Sequence, residues 1–387
     1  MRIASIDTIV VNAKMRNWVF VRVTTDEPGL SGIGEATVEW QTNGVVGAIT
    51  DLAPLLIGED ATRIEHLWQS MYRHLFFRGG VVTMSALSGI DQALWDLNAK
   101  RLGVPLYRLL GGAVRDRLRM YDHLGGGESA SVYDQSNATD FAERAIESRE
   151  AGFSAVKILA VPLSEPLVGA ANLRAAEALM AAAREGGGDD MDIMVDLHGR
   201  TSAAAAIAYA RVLAPYRPYF LEEPCPPDHP DAIAEVARST EVPIAAGERL
   251  LHRTEFLPLL TSRAIAVAQP DVCHAGGISE IRRIAALCET FNVAMAPHNP
   301  LGPIATMVNI HLGFATSNTL IQEVMRADVP WRDDVVHGLP PIVDGHVELP
   351  TAPGIGVSLD EAAARAHPYE PSAPIRSVRP DGSVTEW

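Results

Sequence analysis

Short apolar runs alternate with longer helical segments through the middle of this chain, and that alternation limits most strongly how it can fold. Alanine-rich stretches with helical periodicity, such as residues 172–184 and 202–213, separate the runs. This alternation is typical of parallel βα units. The apolar runs span residues 118–123, 155–159, 193–197, 219–223, 244–248, 265–271, 293–298 and 320–323. Eight units of this kind predict a (β/α)8 barrel of the α/β class.

The chain of 387 residues is longer than this barrel, so its two ends predict additional structure. The first part combines β-rich stretches with an amphipathic helix that ends near Gly103. We expect an α+β domain over residues 1–112 and the barrel over residues 113–325. A proline-rich segment over residues 326–387 is expected to fold back onto the first domain.

Ionisable residues stand at the carboxyl ends of six successive predicted strands. They follow one another after 26, 26, 23, 27 and 25 residues, which is one βα unit each time. The six residues are Asp196, Glu222, Glu248, Asp271, His298 and Glu323. Barrel enzymes carry their active sites at this end of the strands, so we expect the six side chains to meet in one pocket.

Three of these residues, Asp196, Glu222 and Glu248, bring carboxylates from adjacent strands together. Without a cation between them, at least one would have to stay protonated. Oxygen ligands alone favour a hard ion, Mg²⁺ first and Mn²⁺ second, over zinc. The alternative is that each acid pairs separately with a neighbouring arginine, such as Arg200 or Arg249. Three acids in register favour the Mg²⁺ site.

His298 and Asp271 end adjacent predicted strands, which allows the carboxylate to bond one ring nitrogen and leave the other facing the pocket. This arrangement is typical of a general base. His198 follows Asp196 by two residues, so strand alternation predicts that both point into the pocket. A histidine alone at a strand end is more often structural, and it is the pairing with an acid that favours catalysis.

Basic residues near the rim are candidates for binding a substrate anion. Lys157 ends the second predicted strand, where it either pairs with an anion or lies solvated at the rim. Arg200 and Arg249 follow candidate metal ligands and either contact substrate or support those ligands.

Several motifs together resemble the enolase superfamily, in its mandelate racemase-like group, over essentially the whole chain. They occupy residues 195–200 (VDLHGR), 221–224 (LEEP), 245–249 (AAGER), 269–271 (QPD), 274–278 (HAGGI) and 296–303 (APHNPLGP). Because His198 follows the first metal ligand by two residues, the chain is most similar to the galactonate dehydratases and related acid-sugar dehydratases. The resemblance implies a modified TIM barrel with an α+β capping domain formed by the N-terminal region and the C-terminal segment.

The resemblance also implies a reaction. Mg²⁺ on the three acids would hold a substrate carboxylate and stabilise the enediolate formed when the adjacent proton is removed. His298, supported by Asp271, would take the C2 proton, and His198 would protonate the departing 3-hydroxyl. Glu323 would hydrogen-bond the substrate carboxylate. The product of such a hydro-lyase acting on an aldonate such as galactonate is a 2-keto-3-deoxy acid.

One departure from the family pattern narrows the choice of mechanism. Many relatives have a Lys-x-Lys sequence on the second strand, whose second lysine is a catalytic base, whereas this chain reads Lys157-Ile158-Leu159. Two alternatives stay open: an epimerase, racemase or cycloisomerase that uses the same site, and a noncatalytic sugar-acid binding protein. The capping loops near Trp18 and Trp40 are expected to cover the pocket.

Composition excludes several other classes of function. The net charge of −16, with no basic run, gives no reason to expect binding to nucleic acid or to an anionic membrane. No apolar run approaches the roughly 18 residues of a membrane span. The three cysteines are widely spaced and fit neither a disulfide framework nor a zinc site. We expect a cytoplasmic homo-oligomer whose partner is a small-molecule sugar acid.

Two further expectations concern the first half of the chain. Met84, Trp95 and the pair Phe76 and Phe77 are expected to lie on apolar helix faces in the core. Residues 126–139 resemble an insertion.

Overall fold

A curled sheet of parallel strands forms the centre of the computed structural model and confirms the predicted barrel. The structure describes residues 1–125, 137–161, 166–326, 328–372, 376–379 and 381–386, so the predicted insertion lies mostly outside the described residues. The barrel strands are β4 (Arg117–His123), β5 (Ala155–Ile158), β6 (Asp192–Asp196), β7 (Leu221–Glu222), β8 (Ile244–Ala246), β9 (Val267–Ala268), β10 (Ala294–Met295) and β11 (Gln322–Val324).

Consecutive strands from β4 to β10 are parallel neighbours, and β11 pairs in parallel with β4. A bridge between Met295 and Thr319 joins the two ends of this order. Several strands are shorter than predicted: Glu248, Asp271 and His298 lie two or three residues beyond β8, β9 and β10. Prolines at positions 270 and 297 lack the N–H that longer strands β9 and β10 would need, so Asp271 and His298 lie on the loops that follow these strands.

Helices surround the barrel, one after most strands. They are α5 (Ala138–Glu150), α6 (Ala170–Gly187), α7 (Ala203–Leu213), α8 (Pro230–Ser239), α9 (Arg253–Thr261), α10 (Gly277–Thr290) and α11 (Pro303–Ala315). Ser202 caps α7 by accepting a hydrogen bond from the Ala205 N–H. Among the described residues, no helix is long and apolar enough to span a bilayer.

A three-stranded antiparallel sheet and four helices form the first part of the chain. The strands are β1 (Ile3–Ala13), β2 (Arg16–Thr25) and β3 (Ser31–Glu35), and the helices are α1 (Thr42–Leu52), α2 (Ile64–Arg73), α3 (Val81–Arg101) and α4 (Leu106–Leu109). Helix α3 was expected to be amphipathic, but it is buried along most of its length because the sheet packs on one side and α10 on another. Side chains at Gly32 and Gly34 would collide with the α3 backbone, so only glycine allows this close approach.

The C-terminal segment returns to the first domain, as expected. It contains α12 (Arg332–Val335), β12 (Val336–His337), β13 (His346–Glu348), β14 (Ser358–Leu359) and α13 (Glu361–Ala366). Arg22 forms a 2.6 Å ion pair with Glu361, and the Asn12 N–H donates to the His367 carbonyl at 2.8 Å. Strand β13 instead pairs antiparallel with barrel strand β4. The fold class is confirmed, whereas the division at 112/113 and 325/326 stays a prediction.

The expectation for Phe76 and Phe77 is wrong. Their side chains are 90% and 89% exposed because they lie on the loop between α2 and α3 and not on a helix face. Their rings contact each other edge to face, with centroids 5.1 Å apart. Met84 is buried and Trp95 is partly buried.

Candidate active site

A cavity of about 450 Å³ lies at the carboxyl ends of the barrel strands and is bounded on its other side by the capping domain. Barrel residues that line it include Lys157, Asp196, His198, Glu248, Arg249 and His298. The capping domain contributes Arg16, Val38, Glu39, Trp40, Gln41 and Val81. The loop at Trp40 therefore covers the pocket as expected, whereas Trp18 is fully buried in the core and does not line it.

The three predicted metal ligands are brought together. Asp196, Glu222 and Glu248 each offer a carboxylate oxygen within 4.8 Å of the others. Burial raises the pKa of Glu248 well above its usual range, and the negative charges of Asp196 and Glu222 raise it further. Burial also raises the pKa of Asp196. Two buried carboxylates and a third that is partly buried, at this spacing, fit a hard divalent cation, which would remove their mutual repulsion.

Lys157 is not a solvated rim lysine. Its side chain is 1% exposed, and its ammonium group lies 2.6 Å from Glu222 and 2.7 Å from Glu323. Glu222 also accepts a hydrogen bond from the Gln269 amide at 2.7 Å. Lys157 lines the cavity, but two carboxylates already engage its charge, so contact with a substrate anion stays a prediction.

The pairing expected between His298 and Asp271 is present. Nδ1 of His298 lies 2.7 Å from Oδ2 of Asp271, and Nε2 lies 3.7 Å from the Glu248 carboxylate. Burial alone would lower the pKa of His298, but the carboxylates of Glu248 and Asp271 raise it to about 10. Burial alone would raise the pKa of Asp271, but His274 and His298 lower it. Asp271 is therefore a carboxylate that orients the ring of His298.

His198 lines the cavity, although not for the reason that strand alternation gave. Strand β6 ends at Asp196, and His198 has a left-handed backbone conformation with φ of 56°. Asp196 accepts a hydrogen bond of 2.6 Å from the His198 N–H, which ties the turn to a candidate metal ligand. A left-handed histidine is uncommon, and such conformations concentrate at functional sites.

The remaining residues predicted to contact the substrate differ in whether they reach the cavity surface. Arg249 lines the cavity, whereas Arg200 is buried behind it and donates to the Val161 carbonyl at 3.3 Å. Glu323 is fully buried and accepts a 2.7 Å hydrogen bond from the Asn299 N–H in addition to its pairing with Lys157. The structure thus brings the side chains of Arg200 and Glu323 close to the site without placing them on its surface.

His123 ends β4 and lines the cavity, although no sequence pattern described above predicts it as a site residue. Burial and the charges of Lys157 and Arg16 lower its pKa to about 3, so its imidazole is neutral. Its Nδ1 atom is buried without a hydrogen-bond partner in the described part of the chain. The strand-end rule could have found it, but the long connection between β4 and β5 breaks the regular spacing.

Family models match both parts of the chain. The model described as the mandelate racemase / muconate lactonizing enzyme N-terminal domain matches residues 3–111, and the enolase C-terminal domain-like model matches residues 140–363. The chain belongs to the mandelate racemase-like group of the enolase superfamily. In this family member, the two matched regions correspond to the capping domain and to most of the barrel with the following segment.

Curated relatives of this family member cover nearly its whole length. It is 39% identical to the D-galactonate dehydratase of Xanthomonas oryzae pv. oryzae (strain PXO99A) over 383 residues, 96% of either chain. It is also 39% identical to the D-galactonate dehydratase of Ralstonia nicotianae over 381 residues, again 96% of either chain.

Solved structures agree with this placement. An enolase from Agrobacterium radiobacter with sodium and L-malate bound has a TM-score of 0.88 and 34% identity, and the match covers 100% of both chains. A mandelate racemase/muconate lactonizing enzyme-like protein from Roseovarius sp. TM1035 has a TM-score of 0.90 and 32% identity, covering 96% of this chain and 97% of that one.

Proposed function

We propose that this protein is a hydro-lyase that dehydrates a sugar acid, an aldonate such as galactonate, to a 2-keto-3-deoxy acid with the help of Mg²⁺. The proposal rests on one observation: His298, which Asp271 holds from behind, and His198 follow strands that are four apart in the barrel order, and both histidines line the same cavity. Two groups on opposite sides of one substrate can remove a proton and protonate a leaving group separately.

The acid cluster supports the proposed cofactor. Asp196, Glu222 and Glu248 would hold the ion, because their oxygens are close together and no cysteine or histidine belongs to the cluster. Bound there, Mg²⁺ would attract the substrate carboxylate and stabilise the negative charge that develops on it when the C2 proton leaves.

His298 is the proposed base. Asp271 fixes its Nδ1 atom, which leaves Nε2 to accept the C2 proton. A base must be neutral before it acts, and the raised pKa of His298 depends mainly on the Glu248 carboxylate. When Glu248 is engaged as a metal ligand, we expect the pKa of His298 to fall toward neutrality.

His198 is the proposed acid that donates a proton to the departing 3-hydroxyl. Arg249 and Lys157 line the same cavity and are proposed to contact the substrate anion. Arg200 and Glu323 are proposed to support the cavity residues without touching the substrate. Glu323 would do so through its bonds to Lys157 and to the backbone next to His298. Leu159 lines the cavity and packs with Met15 and Met325, so no lysine serves as a base there.

The comparisons supply the proposed substrate class. The two curated relatives described above are D-galactonate dehydratases, and a structural neighbour binds L-malate, which is a 2-hydroxy acid. The net charge of −16 disfavours anions at long range, but that field is screened over about 8 to 10 Å in salt. Coordination and ion pairing inside the cavity act at much shorter range and should decide binding.

A screen of aldonic and aldaric acids with Mg²⁺, read out as 2-keto acid formation, tests the proposal. The expected product is lighter than its substrate by one water. A product of unchanged mass would support the alternative of an epimerase, racemase or cycloisomerase, and sugar-acid binding without turnover would support a noncatalytic role. Turnover of the carboxamide analogue at the rate of the acid would show that carboxylate capture is not the basis of recognition.

We also propose a homo-oligomer that works in the cytoplasm. The exposed rings of Phe76 and Phe77 are flanked by Arg73, His74 and Arg78, which are exposed too. A basic, apolar loop on a strongly acidic chain fits the acidic surface of a second copy.

Light scattering of the wild-type protein and of a Phe76→Ser/Phe77→Ser double variant tests this contact. The double variant should have a smaller mass, whereas Leu167→Ser, which removes an exposed apolar side chain elsewhere, should not. Equal masses for all three proteins would contradict the proposed contact.

A further inference from the structure

Glu35 is a fully buried carboxylate at the end of β3 in the capping domain, and it bonds to the backbone of the barrel. Its two oxygens accept hydrogen bonds from the Gly302 N–H at 2.8 Å and the Ala305 N–H at 2.9 Å. The Thr37 hydroxyl donates a third bond at 2.7 Å. A buried carboxylate is thus fully engaged, and most of its partners lie in another domain.

These contacts complete the N-terminus of α11. That helix has no acid in its first turn, and its N-cap residue, Gly302, makes no side-chain cap bond. Helix N-termini leave backbone N–H groups without partners and favour negative charge. Glu35 provides the hydrogen-bond acceptors for two of these N–H groups and places a carboxylate at this end of the helix. The approach is so close that a Cβ atom at Gly302 would lie 2.5 Å from Oε1 of Glu35.

The segment that Glu35 holds begins with the proposed base. His298 lies four residues before Gly302, on the loop that joins β10 to α11. The same loop is held on the barrel side by the bond from the Asn299 N–H to Glu323. A shift of the first turn of α11 would therefore move the backbone that carries the imidazole.

Gln92, on helix α3 of the capping domain, bonds to the barrel loop that carries Asp271. The Gln92 amide donates to the Glu35 carbonyl at 2.9 Å and to the Val272 carbonyl at 3.0 Å. Val272 directly follows Asp271. One edge of the capping domain thus bonds to both barrel loops that carry the His298–Asp271 pair.

Arg16 adds a second link to the same loop. Its guanidinium donates to the Pro300 carbonyl and pairs with Glu39 at 2.9 Å. Arg16 also lines the cavity, so its loss would affect substrate binding as well as the loop. Glu35 does not line the cavity and so allows positioning to be tested separately from binding.

We propose that Glu35 is a positioning residue, by which the capping domain sets the placement of His298 relative to Asp271 and the substrate. The inference rests on the proposed function for the role of His298. Its physical basis is the two hydrogen bonds that Glu35 accepts from the Gly302 and Ala305 N–H groups, which follow His298 in the chain. The capping domain would then serve proton abstraction in addition to covering the cavity.

The test compares Glu35→Gln and Glu35→Ala with Asp96→Asn. Asp96 is an equally buried carboxylate of the capping domain that accepts backbone bonds from Ile33 at 2.9 Å and Ile355 at 2.8 Å, with no bond to the His298 loop. All three variants should lower the melting temperature. Only the Glu35 variants should lower kcat, by about 10- to 100-fold, with KM and Mg²⁺ affinity nearly unchanged.

A readout without turnover separates this inference from the proposed function. In protein labelled with ¹⁵N-histidine, His298→Asn identifies the ring signals of His298. Those signals should shift in both Glu35 variants and stay in place in Asp96→Asn, whether or not a substrate has been found. Gly302→Ala, which crowds Glu35 from the barrel side at a backbone φ that alanine tolerates, should reproduce the shift if a Glu35 variant folds poorly.

Unchanged His298 signals in folded Glu35 or Gly302 variants would overturn the inference. So would an equal loss of kcat in Asp96→Asn, because that would indicate a general effect of cap stability. Shifted signals in a protein that turns over no sugar acid would leave the positioning role in place and contradict the proposed function instead.

Discussion

The ammonium nitrogen of Lys157 lies 2.6 Å from Oε1 of Glu222, and both side chains are buried. Glu222 is also a candidate metal ligand, so Lys157 and a cation bound there would share one carboxylate. Lys157 thus offsets part of the negative charge of the site when no cation is bound.

We expect Lys157→Met to destabilise the protein by about 3 to 5 kcal/mol in the presence of a chelator, because it leaves buried carboxylates without their partner. Urea unfolding with and without Mg²⁺ measures the effect. Added Mg²⁺ should recover more stability in the variant than in the wild type. A variant as stable as the wild type under chelation would show that the ion pair contributes little.

Glu248→Gln should weaken Mg²⁺ binding and abolish turnover while the fold persists. Glu248 is chosen in place of Glu222 because removing Glu222 would also break its pairing with the buried Lys157. Calorimetric titration with Mg²⁺ measures the affinity, and Glu185→Gln, at an exposed position, provides the control. Near-native turnover of Glu248→Gln at limiting Mg²⁺ would contradict the assigned ligand set.

His298→Asn and His198→Asn should fail at different steps. If His298 is the base, its loss stops exchange of the substrate C2 hydrogen with solvent deuterium. Loss of His198 should block elimination and leave exchange detectable, because the His298–Asp271 pair stays intact. NMR of the substrate in D₂O follows both reactions. If the His198 variant loses deuterium exchange while the His298 variant keeps it, then His198 is the base and His298 is the acid.

The parts of the fold that follow from local periodicity could be predicted from the sequence. Strand-end spacing placed Asp196, Glu222 and Glu248 together because the barrel repeats the same geometry at each unit. It also paired His298 with Asp271. Periodicity describes which end of a strand a residue occupies, and for these residues that was sufficient.

Contacts between distant segments could not be predicted in this way. Lys157 meets Glu222 and Glu323 through the barrel interior, and Glu35 meets the α11 backbone 267 residues later, so no local pattern records either contact. The prediction that Phe76 is buried was wrong for another reason. Its apolar neighbours resemble a helix face, but helix α2 ends before this residue.

Stability should depend on pH through His311, which is fully buried and does not line the active-site cavity. Its Nδ1 accepts from the Tyr107 N–H at 3.2 Å, so Nε2 carries the proton and donates to the Ile355 carbonyl at 3.1 Å. Burial lowers the pKa of His311 to about 4, against about 6.5 in an unfolded chain. Between these values the unfolded chain binds more protons than the native protein does.

The contribution of His311 to the free energy of unfolding should therefore be fully present above pH 6.5 and should be lost as the pH decreases toward 4, by up to about 3 kcal/mol. Urea unfolding across this range measures the slope. His311→Gln should be less stable at pH 7, because the imidazole bonds are lost, but its stability should change less with pH. His229→Gln, at an exposed position, should keep the wild-type slope. If His311→Gln retains the full wild-type slope, other groups cause the acid sensitivity, and the neutral imidazole between Tyr107 and Ile355 is not its source.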